Sequence, residues 1–467
     1  MTTAYEQLKD SFAKVKHLDD VSGILSKDQE TVMAAGSQND RIEKYGVLSD
    51  LSHGLMTDPR LSDLLDEAEA DKQTLDTIDQ RNLELMRRRW VESNALSKDL
   101  AREVAILGGK GNALHIEHYQ SGDWSVMADW YEHSFKITRE VGQALQGPLG
   151  ASSPYEALLW QYNPGVNVTD VEREFDKLDK ALRTMIPEAI SYQASQGAIL
   201  PAVSAITKDQ HYRLCYDVAE FLGFDFNRGR FDVINGHPSM AGGRDDARMT
   251  TRLEGQNGED WILSLYSIIH EAGHGIYEQG LPEAHKYQPV GASYGLALHE
   301  SQSMIMERQV CKTPEFFARL SDLAHQQLGL AQNPAFTAEN IARYVNKTER
   351  SLIRVNADEL TYPMHIILRF QLAKQIIDGQ FDVKKDLPEA WRAGMKEKLD
   401  IEPSNNAEGC MQDVHWPCGL QGYFPAYALG AVLSAQFFAA AEKSLPNLRQ
   451  DIRSGDLSAF NAWQRAN

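Results

Sequence analysis

Residues 261–280 read WILSLYSIIHEAGHGIYEQG, a segment in which apolar side chains occupy most positions. Asn257 or Gly258 can cap its start, and the acidic residues at 259–260 suit the positive end of a helix dipole. Gly280 can end the helix, because glycine is common just beyond a helix C-terminus. The segment therefore predicts an α-helix that is buried over most of its surface.

His270, Glu271 and His274 lie within this apolar run. With 3.6 residues per turn, the two histidines stack on one face and can reach one ion. Glu271 lies about a quarter turn away, where it can take a proton from the attacking water and pass it to a leaving amine. This is the HExxH pattern of zinc peptidases. A solvated helix face is the alternative, and it fits badly because polar groups among buried apolar residues need a partner.

A catalytic zinc ion needs a third protein ligand and one open position. Residues 295–302, GLALHESQ, supply Glu300, which follows His274 by 26 residues on a separate predicted helix. Glu307 is a rival ligand further along that helix. His299 is also a possible ligand, but it is adjacent to Glu300, and adjacent residues point to different sides of a helix. A structural role is therefore favoured for His299. The predicted metal site is therefore His270, His274 and Glu300.

Composition limits the partners and the compartment. The chain has 467 residues with 66 acids against 47 bases, a formal net charge of −19, which argues against nucleic acid or an anionic membrane surface. The start, MTTAYEQLKD, lacks a signal-peptide pattern, and no apolar run is long enough to span a membrane. Four cysteines do not make a disulfide framework. We predict reduced thiols in a cytoplasmic protein.

Helical periodicity dominates the rest of the chain. Helices are predicted within residues 62–107, 124–145, 169–196 (opened by a capping box at Thr169), from Thr207 (a second capping box), 361–379 and 426–443. Short strands are predicted at 231–235 and 248–254. Without repeats or linkers, the pattern favours a mostly α fold with a small antiparallel β element beside the HExxH helix. We predict a single catalytic domain, 1–467, in which two lobes could flank a groove.

Six motifs resemble the carboxypeptidase Taq family of metallocarboxypeptidases, in the order in which that family carries them. They are DARMT at 246–250, HEAGH at 270–274, HESQ at 299–302, IRVNAD at 353–358, GCMQDVHW at 409–416 and GYFPAY at 422–427. One departure stands out, because the family's His-Pro-Phe motif reads His237-Pro238-Ser239 here. Loss of that aromatic ring affects the expected specificity and leaves the expected reaction unchanged.

The resemblance implies a large helical ellipsoid split by a deep active-site groove, and a homodimer. It also implies one divalent ion per chain, usually zinc with cobalt as a substitute. The implied activity is broad removal of C-terminal amino acids from peptides, with Pro and often acidic residues resisted at that position.

The resemblance also implies roles for individual side chains. Arg354 is the first choice for binding the terminal carboxylate and Arg248 the second, since a guanidinium group binds a carboxylate through two hydrogen bonds; either could instead be a structural ion pair. His237 belongs to a substrate-binding motif. Tyr423, preceded by a glycine that permits close backbone approach, is the expected donor to the oxyanion, and His415 is expected to donate to the oxyanion or to substrate backbone.

Further expectations concern supporting groups. Asp358 and Asp413 are expected to orient their neighbours, and the strand at 248–253 to pair with substrate backbone as an edge strand does. Three other functions remain open at this point: an oligopeptidase or dipeptidyl carboxypeptidase on a similar helical scaffold, a non-catalytic helical binding protein stabilised by metal, and a helical scaffold without metal.

Overall fold

The computed structural model describes residues 2–234, 238–254 and 260–467, and helices dominate it. In chain order the α-helices are α1 (Ala4–Thr31), α2 (Gln38–Met56), α3 (Pro59–Ala70), α4 (Thr77–Asn94), α5 (Lys98–His118), α6 (Trp124–Leu149), α7 (Pro154–Trp160), α8 (Val168–Ser195), α9 (Lys208–Leu222), α10 (Trp261–Gly280), α11 (Leu296–Met304), α12 (Pro314–Leu328), α13 (Ala338–Val345), α14 (Tyr362–Ile377), α15 (Val383–Leu399), α16 (Pro425–Ser444), α17 (Leu448–Ser454) and α18 (Ser458–Ala466). A π-helical segment, Ile305–Val310, directly follows α11. The predicted mostly α fold is confirmed.

One small sheet accompanies the helices, with strands β1 (Gly229–Val233), β2 (Ser239–Gly243) and β3 (Asp246–Thr251) in the order β1-β3-β2. The β2–β3 pair is antiparallel and β1 runs parallel to β3, so the sheet is mixed, whereas a small antiparallel element was predicted. The predicted strands correspond to β1 and β3; β2 was not predicted because its sequence, SMAGG, lacks β-branched residues. Since β3 is the middle strand and is paired on both sides, the expectation that it binds substrate as an edge strand is wrong.

The capping boxes differ in outcome. Thr207 and Gln210 form the predicted reciprocal box at the start of α9. The box predicted at Thr169 is wrong, because α8 begins at Val168 with Asn167 as N-cap. The physical reason lies in a neighbouring helix: the Glu156 carboxylate accepts a hydrogen bond from the Val168 amide at 3.0 Å, so a tertiary contact caps α8.

The helix that carries the HExxH motif, α10, is the centre of the largest hydrophobic cluster, which also includes α9, α12, α13 and the sheet. Trp261, Ile268 and Ile269 are fully buried there. The N-cap is Asp260, whose carboxylate accepts from the Ile262 and Leu263 amides at 3.0 and 3.2 Å. The caps predicted at Asn257 and Gly258 lie outside the described residues.

Two further clusters complete the core. One joins α6, α7, α8, α14 and α15 with the 410–428 segment, and the other joins α1, α3 and α4. The cysteines at 215, 311, 410 and 418 are free thiols. Across the described ranges, none of the helices combines the length and the apolar character needed to traverse a bilayer.

Candidate active site and metal centre

His270 and His274 on α10 converge with Glu300 on α11. The His270 Nε2 atom lies 3.7 Å from one Glu300 oxygen, and the His274 Nε2 atom lies 3.5 Å from the other. One ligand atom from each of the three side chains lies within 4.8 Å of the others. Ligands around a tetrahedral zinc ion lie about 3.4 Å apart, given metal–ligand bonds near 2.1 Å. The three side chains are therefore spaced to hold one cation.

The negative charge of the carboxylates around His270 also favours a bound cation. Burial would lower the pKa of this imidazole, but the carboxylates of Glu300 and Glu307 outweigh burial and raise the pKa to about 10. In contrast, burial together with nearby His299 lowers the pKa of His274 to about 4, which keeps that ring neutral with a lone pair available. Nitrogen and carboxylate donors in a negative, enclosed setting match a divalent metal ion.

Glu307 contacts the other nitrogen of His270. Its Oε2 atom lies 2.7 Å from His270 Nδ1, so the carboxylate accepts a hydrogen bond there and leaves Nε2 facing Glu300. Glu307 belongs to the π-helical segment, whose wider turn sets it apart from the regular spacing of α11. The carboxylate that the sequence offered as a rival ligand thus orients the imidazole of a predicted ligand.

His274 is held differently. Its ring stacks on that of His299 at 4.3 Å between centroids, with an interplanar angle of 18°. His299 in turn contacts the Glu278 carboxylate at 3.1 Å. The His274 Nδ1 atom is buried and has no hydrogen-bond partner among the described residues. The contacts of this ring are therefore the stack on His299 and the approach of its Nε2 atom to Glu300.

Glu271 is only 7% exposed, and the charges of His270 and Glu300 act on its carboxyl group. Burial raises its pKa to about 7; His270 opposes this shift and Glu300 adds to it. A carboxyl group with a pKa near neutrality can both accept and return a proton.

The position of Glu300 depends on two close helix contacts. A Cβ placed on Gly273 of α10 would come within 2.6 Å of the Gln302 carbonyl oxygen of α11. A Cβ placed on Gly430 of α16 would come within 2.9 Å of the Glu300 Cβ. Helix α11 is therefore held between α10 and α16 by two positions without side chains.

Gly430→Ala is expected to displace Glu300, to lower the metal affinity and to cost about 1–3 kcal/mol of stability, because the added methyl group overpacks the α11–α16 contact. Metal content after dialysis and the denaturant midpoint would measure both effects. Gly109→Ala in α5 is the matched control, since a Cβ placed there would meet nothing within 4 Å. Wild-type metal retention in Gly430→Ala would contradict the claim that this contact positions Glu300.

Arg354 lies in a buried cluster with two other charged residues. Its Nε donates to one oxygen of Asp413 at 2.9 Å, and Arg369 Nε donates to the other at 2.6 Å. Burial would raise the pKa of Asp413, but the two guanidinium groups hold it well below its usual range. Two cations thus share one anion, and the cluster keeps a positive charge available. Asp413 orients its neighbours, as expected for it.

Aromatic rings connect this cluster to the metal-binding side chains. The guanidinium carbon of Arg354 lies 5.3 Å from the ring centre of Tyr427, whose ring lies 5.3 Å from that of Tyr423. The His415 ring lies 5.1 Å from Tyr423, and burial lowers the pKa of this imidazole to about 3, so it is neutral. Burial raises the pKa of Tyr423, with Glu300 adding to the shift, so the phenol keeps its proton for donation.

The glycine before Tyr423 behaves as expected from the sequence. A Cβ on Gly422 would come within 2.5 Å of the Leu158 carbonyl oxygen. This close approach of two backbones fixes the segment from which Tyr423 extends. A larger residue there would move the phenol away from Glu300 and His415.

Of the remaining predicted site residues, Arg248 forms an ion pair on the sheet and His237 lies outside the described ranges. Arg248 on β3 forms a two-point ion pair with Asp246 at 2.9 and 2.8 Å, the structural alternative that the sequence left open. His237 lies outside the described residues. Ser239, where the family has an aromatic ring, accepts a hydrogen bond from Lys27 of α1, which is only 3% exposed.

Sequence reasoning missed several contacts. The ammonium group of Lys27 acts electrostatically on Glu271, although 244 positions separate them and no spacing signal relates them. Tyr427 was also missed as a contact of Arg354 and Tyr423; it lies in the first turn of α16, whereas Tyr423 precedes that helix, so helical spacing does not relate the two. For Glu307 the sequence indicated only that it was one of two carboxylates that could bind the metal, and its hydrogen bond with His270 was not predicted.

Comparison with known proteins agrees with this geometry. A sequence profile of the carboxypeptidase Taq (M32) metallopeptidase family matches residues 7–467. Thermostable carboxypeptidase 1 of Thermus thermophilus is 31% identical over 474 aligned residues, which cover 99% of this chain and 91% of the relative. Carboxypeptidase 1 of Bacillus subtilis is 28% identical, covering 99% of this chain and 90% of the relative.

Solved structures give the same result. Metallocarboxypeptidase 1 of Trypanosoma cruzi superposes with a TM-score of 0.92 at 30% identity, over 99% of this chain and 92% of that one. A carboxypeptidase structure from Pyrococcus furiosus superposes with a TM-score of 0.91 at 27% identity, over 100% of this chain and 92% of that one. Since the match extends over nearly the whole chain and includes the converging His and Glu side chains, the chain belongs to the carboxypeptidase Taq (M32) family and is a metallocarboxypeptidase.

Proposed function

We propose that this enzyme releases single amino acids from the C-terminus of peptides, with one zinc ion held by His270, His274 and Glu300. The convergence of these three side chains beside the buried carboxyl group of Glu271 carries the proposal. When bound there, a divalent ion supplies Lewis-acid polarisation of the scissile carbonyl and of the attacking water.

Glu271 is the proposed proton carrier. Its raised pKa, about 7, suits a group that removes a proton from water and delivers it to the departing amine. Glu271 directly follows the predicted metal ligand His270 on α10, which would keep its carboxyl group close to the reacting atoms in both steps. Enclosure of the carboxylate at 7% exposure keeps bulk water from competing for that proton.

Arg354 is the proposed carboxylate-binding residue. Asp413 engages only its Nε, and the Tyr362 hydroxyl lies 3.1 Å from its Nη1. Arg369 also binds Asp413, so the pair of arginines exceeds the charge of the single aspartate. A peptide carboxylate would neutralise this excess, which gives a physical reason for cleavage at the chain end.

Tyr423 and His415 are the proposed donors to the reacting carbonyl group. Both are uncharged at neutral pH, as their shifted pKa values indicate, so each retains an N–H or O–H bond for donation. Donors fixed by surrounding rings need little reorganisation as charge develops on the oxygen. We further propose that Arg248 has a structural role and that His237 contributes to substrate binding.

Product analysis with a peptide whose N-terminus is blocked tests the proposed reaction. Successive release of single residues from the C-terminus is expected. Dipeptides or internal fragments would instead indicate a dipeptidyl carboxypeptidase or an oligopeptidase. We also propose that C-terminal Pro is released poorly, so the same peptide ending in Pro should be cleaved more slowly than the peptide that does not.

Glu307→Gln is expected to weaken metal affinity about 10- to 100-fold, because the neutral amide accepts a weaker hydrogen bond from His270 Nδ1. Competition against a chromogenic chelator would measure the affinity. Glu397→Gln, the same change at a side chain that is 66% exposed, is the control. Equal affinities in the two variants would show that Glu307 does not support the metal-binding ring.

The remaining properties are proposals of the same kind. We propose that 1–467 is one catalytic domain whose lobes flank the groove, that the enzyme forms a homodimer in the cytoplasm, and that cobalt can replace zinc. Elemental analysis of the purified protein and light scattering would test the metal and the oligomeric state.

A further inference from the structure

A second cavity lies beside the π-helical segment. A cavity of about 380 Å³ opens there between that segment, the start of α12, and α16. Arg308, Lys312, Arg449 and Glu442 are its charged lining residues. Three of the lining residues are cationic and one is anionic, in a chain whose net charge is −19. Glu359 and Glu315 lie next to this lining as partners of Lys312 and Arg449.

Arg308 is the group in this cavity that lacks suitable partners. Its side chain is only 10% exposed, yet its closest carboxylate contact is a 3.8 Å approach to Glu307. The guanidinium carbon also lies 5.3 Å from the ring centre of Tyr362. Arg308 makes no hydrogen bond to any residue that the structure describes, and its Nη1 is enclosed without a partner.

A guanidinium group has five N–H donors, and a buried charge without acceptors is costly. The other two cations have carboxylate partners: Lys312 pairs with Glu359 at 3.3 Å, and Arg449 pairs with Glu442. The arrangement therefore offers donors at the base of an open cavity whose size suits a small ligand.

We propose that this cavity is a binding site for a small oxyanion, with Arg308 as its principal ligand and Lys312 as its second. Phosphate and carboxylate oxygens are the acceptors that pair best with guanidinium and ammonium groups. Glu442 limits the affinity, because its negative charge faces the same opening. The cavity adjoins the proposed active site, because Arg308 neighbours Glu307 and lies beside Tyr362, the hydrogen-bond partner of Arg354. Arg308 and Lys312 have no role in the cleavage chemistry proposed above, and the anion site does not depend on it.

The metal-loaded full-length enzyme tests this proposal by thermal melting and titration calorimetry at constant ionic strength. Inorganic phosphate in one series and succinate in the other separate a phosphate site from a carboxylate site. A saturable rise in Tm with at least one of them is expected, because a ligand that binds only the folded state stabilises it. A linear response shared with chloride, or none, would overturn the proposal.

Three variants locate the site. Arg308→Gln is expected to weaken the anion affinity by about tenfold or more, and Lys312→Gln by about threefold. Glu442→Gln removes the opposing charge and is expected to tighten binding by about threefold. Arg173→Gln, at a side chain 58% exposed on α8, is the charge-matched control and should bind as the wild type does.

Opposite shifts from Lys312→Gln and Glu442→Gln support the site even where Arg308→Gln does not fold. Unchanged affinity in these two variants would assign the anion to another place, including the metal centre. Because peptide cleavage is measured separately, failure of the anion site leaves the proposed carboxypeptidase activity untouched.

Discussion

Glu271→Gln is expected to lower kcat by about 10³- to 10⁴-fold while the protein keeps its metal and its fold. The substitution preserves the size of the side chain but removes the group that exchanges protons, and Gln does not replace a ligand of the ion. Single-turnover cleavage and elemental analysis on the same preparation would measure the two properties together.

Glu389→Gln on α15, a residue 73% exposed, makes the same chemical change at a remote position and should retain full turnover. Loss of metal in Glu271→Gln would mean that the carboxylate is a ligand. Undiminished hydrolysis would remove Glu271 from the reaction altogether. Each outcome therefore addresses a different part of the proposed chemistry.

Arg354→Gln is expected to lower kcat/KM by about 30- to 1000-fold on peptides with a free C-terminus, a loss of roughly 2–4 kcal/mol of transition-state stabilisation. The reason is the loss of the cation that pairs with the terminal carboxylate. Folding should survive, because Asp413 keeps Arg369 as its partner at 2.6 Å. Steady-state kinetics on a free-acid peptide and its C-terminal amide would measure the effect.

The amide peptide supplies the decisive comparison. Wild-type enzyme should discriminate strongly against it, and Arg354→Gln should cleave acid and amide with similar efficiency. Arg248→Gln is the matched variant at the rival arginine and should discriminate as the wild type does. If Arg248→Gln loses the discrimination and Arg354→Gln keeps it, the two assignments must be exchanged.

Asp413→Asn is expected to act on folding instead of on recognition, because it leaves two buried guanidinium groups without their shared anion. The cost should be about 3–5 kcal/mol, the usual range for breaking a buried ion pair. In the wild type the pKa of Asp413 is held low, so its contribution is fully present above the pKa of an aspartate in the unfolded chain and is lost as pH falls from there through the lower folded pKa. Urea denaturation from about pH 5 down to about pH 2 should therefore show a weaker acid dependence in the variant.

Much of the metal site could be predicted from the spacing of residues along one helix. His270 and His274 share a helix face because of the 3.6-residue turn, and this geometry requires no tertiary information. The same holds for the mostly α fold and for the capping box at Thr207. In contrast, the box predicted at Thr169 was wrong because Glu156, from another helix, supplies the acceptor at the start of α8.

Contacts between distant segments were decided only by the tertiary structure. The sequence contained both Glu300 and Glu307, but only the packing of α10, α11 and the π-helical segment places one carboxylate beside the two Nε2 atoms and the other on His270 Nδ1. The partner of Arg354 was likewise undecided until the fold brought Asp413 to it. The sequence by itself determined which groups share a face of one helix, because intrahelical geometry repeats. The pairing of groups across helices depended on packing, because close contacts such as that of Gly430 with Glu300 have no local sequence signal.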